Sequence, residues 1–361
     1  MRGGNFSVAG FGLALTPLLI LLGSCVAPSD AAENSAADDV QASSVAPPAA
    51  SATPAAPAQP SVPTISIAPT QRLAQGALVR GSIWPANSTL TLNGAPVLVA
   101  PNGLFIIGFD RDAPASATLR MVPRTGAPVV RQLTIAPGQW AIQQINAPTR
   151  GAARSDAEFE RRRPAELAQM GAARRTVVTS DGWRQRFIWP VRGRISGVFG
   201  SQRVYQGVPG SYHNGVDVAA PTGTPLLAPA DGVVILAATA PFTLEGNLLM
   251  VDHGAGLSSV FMHNSRLDVR TGDIVRQGQV MGLTGATGRV TGPHMHWAMR
   301  WNGVKIDAQA VVGPMTAAST AAAAAAAAAP APRPPVSRPP VSRPPVRPAP
   351  APVTPANPPR N

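Results

Sequence analysis

Short runs of alternating apolar and polar residues fill the middle of the chain. Thr64-Ile65-Ser66-Ile67, Gly76-Ala77-Leu78-Val79, Thr89-Leu90-Thr91-Leu92, Leu104-Phe105-Ile106-Ile107, Ala117-Thr118-Leu119-Arg120-Met121-Val122 and the run from Val129 to Ile135 each have strand length. Asn93-Gly94 and Asn102-Gly103 punctuate them as hairpin signals. The pattern predicts a small antiparallel β-sandwich over residues 66–146, serving as a spacer or binding module, because no chemical constellation falls within it. Residues 155–175 are charged, with Ala and Leu at helical spacing, and Pro164 sits inside them. A broken or late-starting helix is expected there, within a helical linker over 147–186. From 187 to 313 the chain returns to short strands and glycine turns, so the expected fold class is mostly β, with a β-rich C-terminal domain.

The flanks read differently. Residues 26–65 are mostly Ala, Pro and Ser, and beyond Pro314 come Ala321–Ala329 and three copies of Arg-Pro-Pro-Val starting at Arg333, Arg338 and Arg343. Such segments bury too little apolar surface to offset the entropy of ordering, which leaves 25–65 as a disordered tether and 314–361 as a disordered tail. The first 24 residues have another logic. Arg2 precedes an apolar stretch from Phe11 to Leu22 that is short for a membrane span and interrupted by Pro17. It ends in Leu22-Gly23-Ser24-Cys25, at the sole cysteine of the chain. This resembles a bacterial lipobox, which implies a signal peptide over 1–24, cleavage before Cys25 and lipidation of its thiol. An ordinary secretory signal or an uncleaved anchor are the alternatives. Val26, where Asp often retains lipoproteins in the inner membrane, favours anchoring in the inner leaflet of the outer membrane, facing the periplasm.

Charge narrows the partners. The formal net charge is +12, from 30 Lys+Arg against 18 Asp+Glu, and Lys305 is the sole lysine. That balance could suit nucleic acid, an anionic membrane surface or an anionic polymer. Aromatics are only 5% of the chain and interleave with no basic groove, so nucleic acid is not expected. One cysteine excludes an internal disulfide and a site of several thiolates.

All five histidines, His213, His253, His263, His294 and His296, fall in the C-terminal segment. In Thr291-Gly292-Pro293-His294-Met295-His296-Trp297 a strand would place His294 and His296 on one face, with Met295 and Trp297 on the other. In Ser211-Tyr212-His213-Asn214-Gly215-Val216-Asp217-Val218, Gly215 and the valines argue for a loop entering a strand, the glycine letting His213 and Asp217 converge. Imidazole and carboxylate together suit Zn²⁺. Each pair alone is a weak signal. Combined as His213-x-x-x-Asp217, His263 in Val260-Phe261-Met262-His263-Asn264, and His294-x-His296, they resemble the lysostaphin-type (LytM-domain) zinc endopeptidases over residues 190–312.

That resemblance implies a mostly antiparallel β-domain over 187–313 with one zinc held in a groove on the sheet by His213, Asp217 and His296. It implies His263 and His294 as the two catalytic histidines, His253 as structural, and Tyr212 as either an oxyanion donor or a packing residue. The implied function is hydrolysis of peptide cross-links in peptidoglycan during cell-wall remodelling. The alternative is a non-catalytic, wall-binding activator of other peptidoglycan hydrolases, which the complete set of five residues disfavours.

Overall fold

The computed structural model describes residues 62–147, 157–238 and 240–316. The signal-like stretch, Cys25, most of the tether and most of the tail lie outside them. Among the described residues no helix is long and apolar enough to cross a membrane.

The alternating runs become strands β1 (Thr64–Ile67), β2 (Leu78–Trp84), β3 (Thr89–Leu92), β4 (Ala95–Val97), β5 (Leu104–Gly108), β6 (Ser116–Val122) and β7 (Val129–Thr134). They form two antiparallel sheets, ordered β1-β2-β5 and β4-β3-β6-β7. Strand β6 shows why: Ala117, Leu119 and Met121 point into the core while Ser116 and Arg120 face solvent. Asn93 and Gly94 both have positive φ, 49° and 83°, and close the β3–β4 hairpin as the sequence signal requires.

Strand β8 (Ile142–Ile145) does not stay with this sandwich. It pairs in parallel with β10 (Gln202–Tyr205), which also pairs with β11 (Val208–Pro209). Between β8 and these strands lie helix α1 (Ala157–Arg174) and β9 (Arg194–Gly197). Helix α1 corrects the expectation of a break, for it runs without interruption through Pro164. Proline removes one backbone hydrogen bond, but Met170 and Ala173 are buried against Ile235, Phe242, Leu248, Met250, Val260 and Ala298. Tertiary burial of that stripe outweighs the local cost.

The remaining strands are β12 (Val216–Ala219), β13 (Pro225–Leu227), β14 (Gly232–Ala237), β15 (Asn247–Asp252), β16 (Leu257–Asn264), β17 (Arg266–Leu267), β18 (Ile274–Val275), β19 (Val280–Leu283), β20 (His294–Trp301) and β21 (Val304–Ile306), followed by α2 (Ala308–Val312). The main sheet is ordered β18-β14-β15-β16-β20-β12-β9, with β21 hydrogen-bonded to β20, and β13-β19-β17 form a small separate sheet. Strand β20 is central, and its odd positions Met295, Trp297, Met299 and Trp301 are buried in the core. Trp189 meets Trp297 edge-on at 6.0 Å, and its Nε1 donates to Gly313 O.

One continuous apolar core joins the sandwich to this sheet. Gly108 leaves space for Ile306 and Trp301, which a Cβ there would strike at 2.6 and 3.2 Å. The Arg80 guanidinium donates to the carbonyls of Trp183 and Gln185, and that of Arg111 to the carbonyl of Gly200 and to Gln202 Oε1.

His253 is part of this frame. It is wholly buried; Nδ1–H donates to Asp231 O at 2.8 Å, and Nε2 accepts from the Ser259 hydroxyl at 2.9 Å. Ser259 Oγ in turn accepts from Trp297 Nε1 at 3.1 Å, so this chain of bonds fixes the central strand from behind. Burial pushes the His253 imidazole down to about 4, against the partial opposition of Asp231. Below the ordinary histidine value of about 6.5 the unfolded chain takes up a proton that the folded chain refuses, so stability falls with pH between about 6.5 and 4. Its full contribution is on the order of 3 kcal/mol at 1.36 kcal/mol per pKa unit. Urea midpoints should therefore drop from pH 7 to pH 5, with a shallower dependence in His253→Gln. Equal slopes in the two proteins would remove His253 from the account.

Candidate metal centre and active-site groove

Strands β12 and β20 pair so that Asp217 stands directly opposite His296 and Ala219 opposite His294. Side chains of paired residues share a face, and His296 Nδ1 lies 2.8 Å from Asp217 Oδ1. His213 reaches the same point from the loop before β12. Its backbone N–H donates to Ser201 O and its carbonyl accepts from Gly200 N, both at 2.8 Å. Its Nδ1–H donates to Val198 O at 3.1 Å, which leaves the Nε2 lone pair 3.2 Å from both Asp217 Oδ1 and His296 Nδ1.

Two glycines make room. A Cβ at Gly215 would meet Trp297 O at 2.6 Å and His296 Nε2 at 2.7 Å, and one at Gly197 would meet Asp217 Oδ2 at 2.3 Å. Gly215 thus serves close approach to the His296 ring, a role beyond the convergence of His213 and Asp217 that its place in the sequence suggests. Gly197 carries no sequence signal, because the contact it permits comes from a strand twenty residues away in the chain.

His213, Asp217 and His296 place one ligand atom each within 4.8 Å of one another. Three electron-pair donors aimed at one point repel unless a cation or a shared proton lies between them, and two imidazoles with one carboxylate fit a metal that keeps a fourth position open. The electrostatics agree. Burial works against charge on Asp217, yet its bonds to His213 and His296 hold the carboxyl well below the usual carboxylate range. Burial depresses the His213 imidazole too, but the Asp217 hydrogen bond and charge prevail and raise it. Burial keeps His296 low, and Asp217 offsets only part of that. His296 Nε2 is buried without a hydrogen-bond partner, so the ring is held by its Nδ1 side and by packing.

The other two histidines flank this triad. The rings of His263 and His294 are 4.9 Å apart, and His263 is 6.2 Å from His296. His263 ends the regular part of β16 in a left-handed conformation, φ 66°, with its N–H donating to Glu245 O at 2.8 Å. Its Nδ1–H donates to Thr287 O at 2.9 Å, and that of His294 to Gly292 O at 2.9 Å. In the neutral form of each ring the lone pair therefore sits on Nε2. His294 Nε2 lies 3.8 Å from Asp217 Oδ1. Burial, then the neighbouring His294 and His296, push His263 down to about 4 despite the Thr287 bond.

Two grooves meet at His213 and Asp217. One, of about 800 Å³, is walled by Ile142 and Gln143 of β8, Ser196 and Gly197 of β9, and Arg203. The other, of about 550 Å³, is walled by Leu244, Glu245, Met262, Arg289 and Thr291 and contains His263 and His294. An extended chain laid through both would cross the triad. All five expected residues converge here, and His253 does not. Tyr212 is spoken for: its hydroxyl donates to Asp110 Oδ1 at 2.7 Å, accepts from Lys305 Nζ at 2.9 Å, and its ring stacks under Arg111. Burial and Asp110 hold that hydroxyl protonated, in a packing role between the two halves. The carbonyls of Glu245, Thr287 and Gly292 were invisible to motif reading, since a backbone acceptor leaves no trace in residue identity.

Residues 211–308 match the profile of peptidase family M23. Over 135 residues the chain is 36% identical to the peptidoglycan DD-endopeptidase ShyA of Vibrio cholerae, covering 37% of this chain and 31% of that protein. It is 40% identical over 102 residues to the DD-carboxypeptidase/endopeptidase Mpg of Neisseria gonorrhoeae, covering 28% and 23%. The matched region thus spans less than a third of these relatives' own length. A solved structure, a putative peptidase M23 from Pseudomonas aeruginosa, superposes with a TM-score of 0.54 at 28% identity, covering 68% of this chain and 97% of that one. The matched segment, residues 211–308, holds His213, Asp217, His263, His294 and His296 together, so the whole candidate site lies within the stretch that is similar to peptidase family M23.

Proposed function

We propose that the protein is a zinc-dependent endopeptidase that hydrolyses peptide cross-links of peptidoglycan in cell-wall remodelling. The observation that carries this reading is the intact five-residue cluster at the junction of two open grooves. A peptidoglycan substrate is supported by the relatives' activity on that polymer, as their names state it.

His213 Nε2, Asp217 Oδ1 and His296 Nδ1 would hold the zinc. When bound, zinc supplies Lewis-acid chemistry, polarising a carbonyl and making water acidic enough to attack at neutral pH. The chain supplies the rest. His263 is neutral at physiological pH, and its Nε2 lone pair opens toward the groove, where it takes a proton from the attacking water. His294, pinned through Nδ1 to Gly292, holds its Nε2 beside the triad; once protonated there it stabilises the oxyanion that develops on the scissile carbonyl. The two groove halves hold the peptide on either side, so that the scissile bond meets the cluster in a fixed orientation.

Purified protein incubated with cross-linked muropeptides should release uncross-linked products, identified by mass spectrometry, and a chelator should abolish the release. Asp217→Ala should lose stoichiometric zinc. His263→Ala and His294→Ala should retain zinc yet lose turnover by ~10²–10⁴-fold, the usual worth of one acid–base group. Wild-type turnover in both histidine variants would favour the activator reading over the enzyme.

We also propose that the mature protein is held by a lipid on Cys25, in the outer membrane's inner leaflet, where its substrate is within reach. Leu22-Gly23-Ser24-Cys25 supports this. Cys25→Ser should accumulate as a larger precursor or appear in the soluble fraction. Unchanged size and fractionation would count against lipidation.

A further inference from the structure

Helix α1 does more than connect two domains. Arg163 grips Glu245 with two bonds, Nη1 to Oε2 at 2.7 Å and Nη2 to Oε1 at 2.8 Å. One turn on, Glu166 accepts from Thr243 N at 2.8 Å and from Thr243 Oγ1 at 2.7 Å, while Arg162 donates to Pro241 O. Arg163 also reaches Glu166 at 3.2 Å, closing the network. The helix thus holds the loop 241–246 at three points, and both glutamates are buried. A planar guanidinium bonded at both ends to one carboxylate fixes orientation as well as distance.

The held loop is part of the site. Glu245 lines the groove that contains His263 and His294. Its carbonyl accepts the N–H of His263, in the residue whose left-handed φ aims the imidazole. The same loop bonds the segment after β19. Gly288 leaves too little room for a Cβ beside Leu244 and Gly246, Arg289 N–H donates to Leu244 O at 3.0 Å, and Thr287 O receives the His263 ring. A movement of 241–246 would therefore reach both ends of His263, backbone and ring, but not the triad, whose anchors are Val198, Ser201 and the β12–β20 pairing.

We propose that Arg163 and Glu245 are positioning residues: their ion pair latches α1 onto the loop that sets His263, making α1 a working part of the catalytic centre. This rests on the peptidase reading for its kinetic consequences only.

The test compares Arg163→Gln, Glu245→Gln and the double variant in the full chain, with cross-linked muropeptides as substrate. Each single variant should lose tenfold or more in kcat with zinc content little changed, and Arg163→Gln, which does not line the groove, should leave KM little changed as well. The double variant should be no worse than the worse single, as expected of two groups acting as one pair. Arg163→Lys, which keeps the charge and loses the fork, should fall between wild type and Arg163→Gln, and it carries the comparison if Arg163→Gln does not fold. Amide exchange gives a readout apart from activity: the His263 N–H should exchange faster in Arg163→Gln or Arg163→Lys, while Leu249 and Val251 in the core keep wild-type protection. Wild-type kcat together with unchanged His263 exchange would overturn the proposal. An inactive wild-type protein would sink the enzymatic reading instead, and exchange at His263 would then decide the latch alone.

Discussion

The pairing register of β12 against β20 is the constraint on which the site depends. Asp217 faces His296 because Val216 faces Trp297 and Val218 faces Met295. A slip of β20 by one residue would turn both imidazoles into the apolar side, away from Asp217 on β12, and expose two tryptophans and two methionines. The burial of Val216, Val218, Met295, Trp297, Met299 and Trp301 therefore stabilises the chemical arrangement on the opposite face without touching it. The bond from Trp297 to Ser259, and from Ser259 to His253, adds a directional component that apolar packing alone lacks. Three kinds of force thus converge on one strand: ladder hydrogen bonds, apolar burial and a buried polar chain.

Where the sequence was legible, periodicity or motif spacing carried the information. The two-residue alternation in His294-Met295-His296-Trp297 separates chemistry from core, and Asn93-Gly94 announces its turn. Both are local, so one window of residues contains them. The spacing of His213 and Asp217 is equally readable, though the reason for Gly215 is not. Its constraint comes from the His296 ring and the Trp297 carbonyl, some eighty residues on. Pro164 misled for the converse reason. Local propensity disfavours a helix there, and the decisive term is burial of Met170 and Ala173 against residues spread from 235 to 298. Tyr212 sits beside the candidate metal ligand His213 in sequence, yet its hydroxyl is engaged by Asp110 and Lys305. Adjacency in the chain says little about where a side chain ends.

The sandwich and the main sheet also proved less separable than their composition implies. Apolar residues from Ile65 to Ile306 form one core, and Asp110 anchors both Tyr212 and the backbone of Lys305. Arg111 spans the same boundary, with one face against Tyr212 and its nitrogens on Gly200 and Gln202. Since Gly200 and Ser201 hold the backbone of His213, the sandwich supports the loop that carries the first of the three candidate metal ligands. A mostly apolar boundary would let the halves slide. These oriented polar contacts fix their rotation.

Strand β8 gives that union a further meaning. It belongs by sequence to the front half, it hydrogen-bonds to β10 in the back half, and it walls one of the two grooves. The segment that matches the family profile, 211–308, holds all five residues of the candidate site but lacks that wall. The unit that the family profile defines is therefore smaller than the unit that shapes the cleft. A gene fusion transplanting the common segment onto new partners would carry the chemistry intact and leave one bank of the channel to be supplied by the host. Divergence in what such proteins cut can then arise from what flanks the shared segment, with no change in the five residues at its centre.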